Sequence, residues 1–333
     1  WPGARDEHAG QGVRRLFLCH AATAAATGGV DEAGQSVTGE IGMIRGWLTG
    51  RRGHIHVRRW VPCVPPSAVL MLLHGLGEHS GQYAPLAETA AEAGIETWAL
   101  DHAGHGFSDG ERMLVEHIDD LVADAETLLG RIAGTRPRMP VVVAGHSLGA
   151  AVATLLVGEI RTGSVRPGIG AAARPTDPAA DIAGLVLTGS SPLHGARGLT
   201  APAAPDRHPI QLRTDPAALA RIPEQARRLR EDPLVWEGGL RPQTLAALAA
   251  AAARTRALVT DGALDHVPVL VLHGAEHDIV PAPDAVPVAE LLPRARVVAY
   301  PHDRHNVLRE LDRADVHAEL LRFVATVTSV PTR

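Results

Sequence analysis

The sequence predicts an α/β fold, a mostly parallel sheet with helices on both faces, on three observations. From residue 40 onward short apolar β-type runs alternate with helical patterns. Two of those runs, AVLMLLH (68–74) and VVVA (141–144), are apolar without alternation, as strands covered on both faces should be. The composition, 45% hydrophobic and 21% charged over 333 residues, allows two ordinary domains or one large domain carrying an insertion.

Ile55 to Pro62 reads as an early strand and Ala68 to His74 as a buried one. Tyr83 to Ala93 has helical spacing and stops at Gly94; Glu96 to Asp101 is the next strand. Ile118 to Ile132 is helical, Val141 to Ala144 follows Pro140 as a central strand, and residues 149 to 160 form a helix of small and aliphatic side chains. Ile182 to Leu187, Val267 to His273 and Ala295 to Tyr300 supply three further strands, and Val316 to Val327 a closing helix. Between Pro192 and about Asp265 the strand signal gives way to Ala-, Arg- and Pro-rich helical text, an insertion in which Leu245, Leu248 and Ala252 make an apolar stripe. Residues 1–39 lack periodicity and read as a mobile tail. Within them Arg14-Arg15-Leu16-Phe17-Leu18 resembles a twin-arginine export signal, but the apolar region is interrupted by His20, so a cytoplasmic location is expected and export is the alternative.

Composition also excludes chemistry. All 32 basic residues are arginine, which removes a P-loop lysine, a Schiff-base lysine and a Ser-Lys dyad. A net charge of −5 with two Tyr, three Phe and five Trp gives a nucleic-acid groove little to work with. Cys19 and Cys63 have no metal-type spacing, and the pairs His54/His56 and His102/His105 lack a nearby Cys or carboxylate set at ligand spacing, so no metal is expected. Gly75, Gly77 and Gly81 miss the dinucleotide fingerprint by one residue, so no cofactor is expected either.

The chemistry is carried by Gly145-His146-Ser147-Leu148-Gly149, set between a buried run and a helix. This is the G-x-S-x-G elbow in its strand-turn-helix context, where a sharp turn exposes the Ser147 hydroxyl and the glycines let strand and helix approach. A serine needs an imidazole to take its proton and a carboxylate to orient that imidazole. His305, in YPHDRHNVLRE after the last strand, is the candidate base. After the strand VPVLVLHG the text reads Gly274-Ala275-Glu276-His277-Asp278; Asp278 is the candidate acid and Glu276 the reserve. The backbone amides of Leu148 and of Leu76, in His74-Gly75-Leu76-Gly77, are the candidate oxyanion donors.

In order along the chain, HGLGEHSGQY (74–83), DHAGHGFSDG (101–110), GHSLG (145–149), SSPL (190–193), DPLVWEGGL (232–240) and YPHDRHNVLRE (300–310) resemble the monoacylglycerol lipase branch of the α/β-hydrolases, which is grouped with serine aminopeptidase-like hydrolases. The resemblance runs from about Gly39 to Val327. It implies an eight-stranded sheet with a helical cap after the sixth strand, dividing the chain into a tail (1–39), core (40–191), cap (192–265) and core (266–333). It also implies no cofactor, and hydrolysis of monoacylglycerols or similar lipophilic esters by Ser147, His305 and the amides of Leu76 and Leu148. Two positions depart from the family pattern. Ala103 stands where relatives have Arg, and the third residue after Gly274 is His277, so Asp278 comes one place late. A lysophospholipase, a general carboxylesterase or an aminopeptidase would share the same residues, and a cofactor-free haloperoxidase could use the scaffold; a non-catalytic binding protein with a decayed triad is the alternative from another class. Arginines mixed with aliphatic residues in the cap fit a transient membrane contact, and equally a solvated face.

Overall fold

The structure is a computed structural model that describes residues 15–18, 40–163, 181–189, 220–236, 239–276 and 291–329. Its strands are β1 (Arg15–Leu18), β2 (Glu40–Gly50), β3 (Gly53–Val61), β4 (Ala68–Leu73), β5 (Ile95–Leu100), β6 (Val141–His146), β7 (Ile182–Thr188), β8 (Val269–Gly274) and β9 (Ala295–Tyr300). They form one sheet in the order β1-β2-β3-β5-β4-β6-β7-β8-β9. From β5 across to β9 every neighbouring pair is parallel, while β1, β2 and β3 join antiparallel at one edge. The eight strands β2 to β9 make the mostly parallel sheet that the resemblance implied, and the insertion follows the sixth of them, β7.

The described helices are α1 (Ala84–Glu92), α2 (Ile118–Thr135), α3 (Leu148–Thr162), α4 (Pro223–Glu231), α5 (Pro242–Thr260) and α6 (Arg313–Thr328). They cover both faces of the sheet. One apolar cluster joins one face of the strands to α2, α3 and α5 through Leu121, Leu128, Val152, Leu155 and Ala251. The other joins the opposite face to α1 and α6 through Leu86, Ala90, Leu320 and Val324. Strands β4, β5, β6, β7 and β8 are buried along their whole length, so burial rather than alternation selects their apolar runs. No described helix is long and apolar enough to cross a membrane.

Three details differ from the sequence reading. Strand β2 has no counterpart there because its alternation changes phase: Ile41 and Met43 are buried, Arg45 and Trp47 are exposed, and then Leu48 is buried. Within the stretch expected to be a mobile tail, Arg15–Leu18 pairs antiparallel with β2. The buried stripe of α5 is Thr244, Ala247, Ala251, Thr255 and Val259, one position round the helix from Leu245, Leu248 and Ala252. Thr244 explains the rotation: its hydroxyl donates to the Met113 carbonyl (2.6 Å) and accepts from the Val115 amide (3.0 Å), which holds that face against the core. Arg254 then ties the same helix to Asp119 of α2 (2.7 Å) and to Glu159 of α3.

Candidate active site

The turn between β6 and α3 places Ser147 at φ 51° and ψ −114°, a conformation that costs a non-glycine residue about 1–3 kcal/mol and persists only when its surroundings enforce it. They do so here. The Ser147 amide donates to the Thr188 carbonyl at the end of β7 (2.9 Å), and its carbonyl accepts from Ala150 (3.0 Å). There is no room for side chains at the flanking glycines: a Cβ at Gly145 would lie 2.2 Å from the Gly149 carbonyl oxygen, and one at Gly149 would lie 2.1 Å from that of Leu73. Leu148 opens α3, so its amide is one of the unpaired donors at a helix N-terminus, where the helix dipole favours negative charge.

The loop after β4 lies against this turn. A Cβ at Gly75 would be 3.3 Å from the Ser147 Cβ and 2.9 Å from the His146 ring, so only glycine lets the loop carrying Leu76 come this close. Glu78 pins the loop. Its carboxylate accepts from the Gly75 amide (2.9 Å), the Tyr83 hydroxyl (2.5 Å) and the Asn306 side-chain amide (2.9 Å), with Arg309 at 3.6 Å and the His146 Nε2 at 4.0 Å. Burial works against its charge, but His146, Arg309 and the bonds from Tyr83 and Gly75 prevail and hold the carboxyl at about 2. The sequence reading gave Glu78 no role, although it stands inside HGLGEHSGQY.

His305 comes from the loop after β9. Its ring, largely buried, lies 4.7 Å from the His146 ring at 60°, beside the residue that precedes Ser147. Two strand ends make space for that loop. At Gly189 (φ 60°) a Cβ would fall 2.5 Å from the His305 carbonyl oxygen, and at Gly274 it would fall 2.2 Å from that of Arg304. The turn after β8 is fastened to the same loop, because Ala275 donates to the Tyr300 carbonyl (2.8 Å) and Glu276 to that of Asp303 (3.1 Å). The Glu276 carboxylate itself is half exposed and ion-paired with Arg221. Asp278 lies outside the described residues, as does the SSPL motif.

A second layer of buried polar groups backs these loops. The Asp101 carboxylate accepts from the Ser80 amide (2.8 Å), the Phe107 amide (3.0 Å) and Arg58 (3.1 Å), and contacts His56 Nδ1 (3.0 Å). Burial would raise it, but the bond from His56 and the Arg58 charge hold it well below the carboxylate range. His74, His102 and His105 pack nearby in edge-to-face and tilted contacts with ring centroids 4.5–6.4 Å apart, and burial lowers all three, so they are neutral. Ala103, where relatives carry Arg, is buried, and its carbonyl meets the His105 Nδ1 at 3.0 Å. No group of three or more potential ligands among the described residues could hold a metal. The insertion reaches this region directly: His79 Nε2 meets Asp232 of the DPL motif at 2.8 Å, and the Trp236 amide donates to the Gly77 carbonyl at 3.2 Å.

Residues 64–312 match the family model described as serine aminopeptidase, S33. A monoacylglycerol lipase of Mycolicibacterium smegmatis is 30% identical over 225 residues, which is 67% of this chain and 74% of that protein. The monoglyceride lipase of Homo sapiens is 38% identical over 106 residues, 32% of this chain and 35% of its own length, so this match spans about a third of that relative. A solved structure of a lipase in its open form superposes with a TM-score of 0.70 at 24% identity, covering 86% of this chain and 100% of the other, which supports the fold. The chain belongs to the serine aminopeptidase S33 family and is a monoacylglycerol lipase-like hydrolase with the α/β-hydrolase fold.

Proposed function

We propose that the chain is a serine carboxylic-ester hydrolase that cleaves monoacylglycerols or similar lipophilic esters through an acyl-enzyme. The observation that carries this reading is the enforced φ of 51° at Ser147, in a turn that β7, the Gly75 loop and the His305 loop all press upon. In the mechanism, His305 removes the proton as Ser147 Oγ attacks the ester carbonyl, and the amides of Leu76 and Leu148 bind the oxygen as it becomes negative. Each such donor contributes about 2.7–4 kcal/mol in comparable sites. The alcohol leaves with the proton from His305, and water deprotonated by the same imidazole releases the acid. Asp278 orients the imidazole. The exposed Arg221 ion pair of Glu276 and the fastening of residues 275–276 to the His305 loop favour Asp278 over Glu276 for this role.

Residues 192–265 act as the cap that selects the acyl chain, and the His79–Asp232 contact supports this by joining the cap to the oxyanion loop. An aminopeptidase would need a carboxylate for the substrate ammonium; Glu78, beside the elbow, already has both oxygens occupied by Gly75, Tyr83 and Asn306, which favours the ester. Cytoplasmic action, with at most transient membrane contact through the cap, fits the interrupted apolar stretch at His20. The test is hydrolysis of a monoacylglycerol series, lysophospholipids and aminoacyl anilides, with fluorophosphonate labelling. Ser147→Ala should lose on the order of 10⁶ in kcat and all labelling. Asp278→Asn should lose most activity and Glu276→Gln little. A folded wild-type chain that does not label would overturn the reading in favour of a binding protein.

A further inference from the structure

At the opposite end of the sheet, where β7, β8 and β9 begin, lies a cleft of about 730 Å³ that the proposed reaction does not use. Its rim carries Arg161 from the last turn of α3, Arg294 and Arg296 at the start of β9, and Arg322 from α6. Among the described lining residues, four guanidinium groups thus face one carboxylate, Glu319, which Arg296 and Arg322 share. The other two spend donors on neutral groups: Arg161 on the Ile182 carbonyl (2.9 Å) and Arg294 on that of His266 (2.8 Å). Those bonds fix the two side chains without neutralising them. Two helices, α3 and α6, also end here, and each C-terminus contributes about half a negative charge at most, which offsets only part of the positive excess among the described lining residues. In a chain of net charge −5 such a concentration of cations is local and not a reflection of composition.

The cleft is not simply a charged rim. Phe323 and Val327 form an apolar wall against β7, where a Cβ at Gly184 would lie 3.0 Å from the Phe323 ring and 3.3 Å from Val327, so glycine lets the ring lie on the strand. The groove of about 590 Å³ beside Leu48 and Gly134 has only Arg131 as a cation and lacks this pairing. Arginine forks match carboxylate and phosphate oxygens, and an adjoining apolar wall suits a ligand with a hydrocarbon body.

We propose that this cleft binds an amphiphilic organic anion, with a carboxylate or phosphate head on Arg161, Arg294 and Arg322 and a hydrocarbon body against Phe323 and Val327. The site stands independently of the reading of Ser147. The test is calorimetric titration of the full chain, below the micellar concentration, with decanoate, decyl phosphate and the neutral decyl maltoside. Saturable binding of either anion, weakened by added salt and absent for the maltoside, is expected. The preference between decanoate and decyl phosphate tells an acyl-product-type ligand from a phosphorylated one, and either supports the site. Arg294→Gln/Arg322→Gln should weaken binding about tenfold or more, since a charge-assisted bond is commonly worth a factor of ten. Arg294→Lys/Arg322→Lys should restore part of it, with ester hydrolysis unchanged in both. Arg161→Gln, a single exposed change, provides the same reading if the double variant folds poorly. Equal affinity of wild type and variants, or equal binding of decyl maltoside, overturns the proposal. Absence of ester hydrolysis in every protein, wild type included, concerns Ser147 and leaves this outcome readable.

Discussion

The two ends of the sheet are built on different principles. Where β4, β5, β6, β7 and β8 end, the chain buries His74, His102, His105, His146 and Asp101, half-buries Glu78, holds Ser147 in a strained turn and packs backbone against backbone at Gly145, Gly149 and Gly274. Where the parallel strands begin, the buried Glu96 is matched by Arg59 and Arg136, and the cations of the cleft sit on its rim. Buried polar groups oppose folding unless each is matched by neighbours; the elbow end carries more of them, and the apolar layers on both faces support it. The same substitution should therefore behave differently at the two ends.

The largest effect is expected at Gly149. Alanine is the better helix former, yet its Cβ would lie 2.1 Å from the Leu73 carbonyl oxygen, and only a shift of α3 against β4 relieves that contact. Gly149→Ala should cost about 3 kcal/mol or more and displace the elbow, read as a lowered urea midpoint together with lost fluorophosphonate labelling. A variant as stable as wild type would mean that the crossing of strand and helix is looser than its geometry indicates.

Next comes Glu78, which joins three loops. Glu78→Gln removes the charge that Arg309 and Asn306 meet, and loss of charge-assisted bonds of about 1.5–3 kcal/mol should lower kcat/KM about 10–100-fold. The acid limb of stability gives an independent reading. The Glu78 carboxyl is depressed to about 2 in the fold, so it stabilises above its ordinary value of 4.5, and that stability is lost as pH falls from 4.5 towards 2. Wild type should lose about 3 kcal/mol from this group across that window, while the variant's profile is flatter. Parallel acid limbs would show that Glu78 carries no special charge.

The contrast also accounts for what could be read from the sequence. The elbow turn was legible because its glycines are required by steric exclusion within five consecutive residues, and the placement of the His305 loop because it follows the last strand. The role of Glu78 was not, since its bond to Asn306 spans 228 positions and only the folded sheet brings the two loops together. Its signal was present in the motif that contains it, without a partner to interpret it by. Strand β2 escaped because burial passes from one of its faces to the other halfway along, and the α5 stripe was displaced because polar residues, Thr244 and Thr255, are among those buried. Hydrophobic periodicity detects neither a strand that changes phase nor a threonine satisfied by backbone groups.

Away from the elbow, Asp124 reverses the sign found at Glu78. Its carboxylate accepts one backbone bond, from Arg51 (2.8 Å), and burial, with the nearby Asp120 charge, raises it from 3.8 to about 6. The folded chain therefore holds this proton more tightly than the unfolded one, and the stability associated with it is present below pH 3.8 and lost as pH rises through about 6. Asp124→Asn keeps an acceptor for Arg51 without a charge to bury. It should be about 1–3 kcal/mol more stable than wild type at pH 8 and equal to it near pH 4, measured by urea denaturation at both values. The same gap at both pH values would mean that charge burial is not the cause.

The smallest effect completes the comparison with Gly149. Gly134 lies in the last turn of α2, on the way to the start of β6, and a Cβ there would meet nothing within 4 Å. Only the helix preference is left to act, because glycine loses more backbone freedom on folding than alanine and no neighbour has to move. Gly134→Ala should therefore stabilise by about 0.5–1 kcal/mol, seen as a higher urea midpoint with unchanged slope and unchanged ester hydrolysis. One exchange of glycine for alanine within a helix is thus expected to carry opposite signs at the two ends of the sheet. If both variants were destabilised alike, the close backbone packing that surrounds Ser147 would not be what sets the two ends apart.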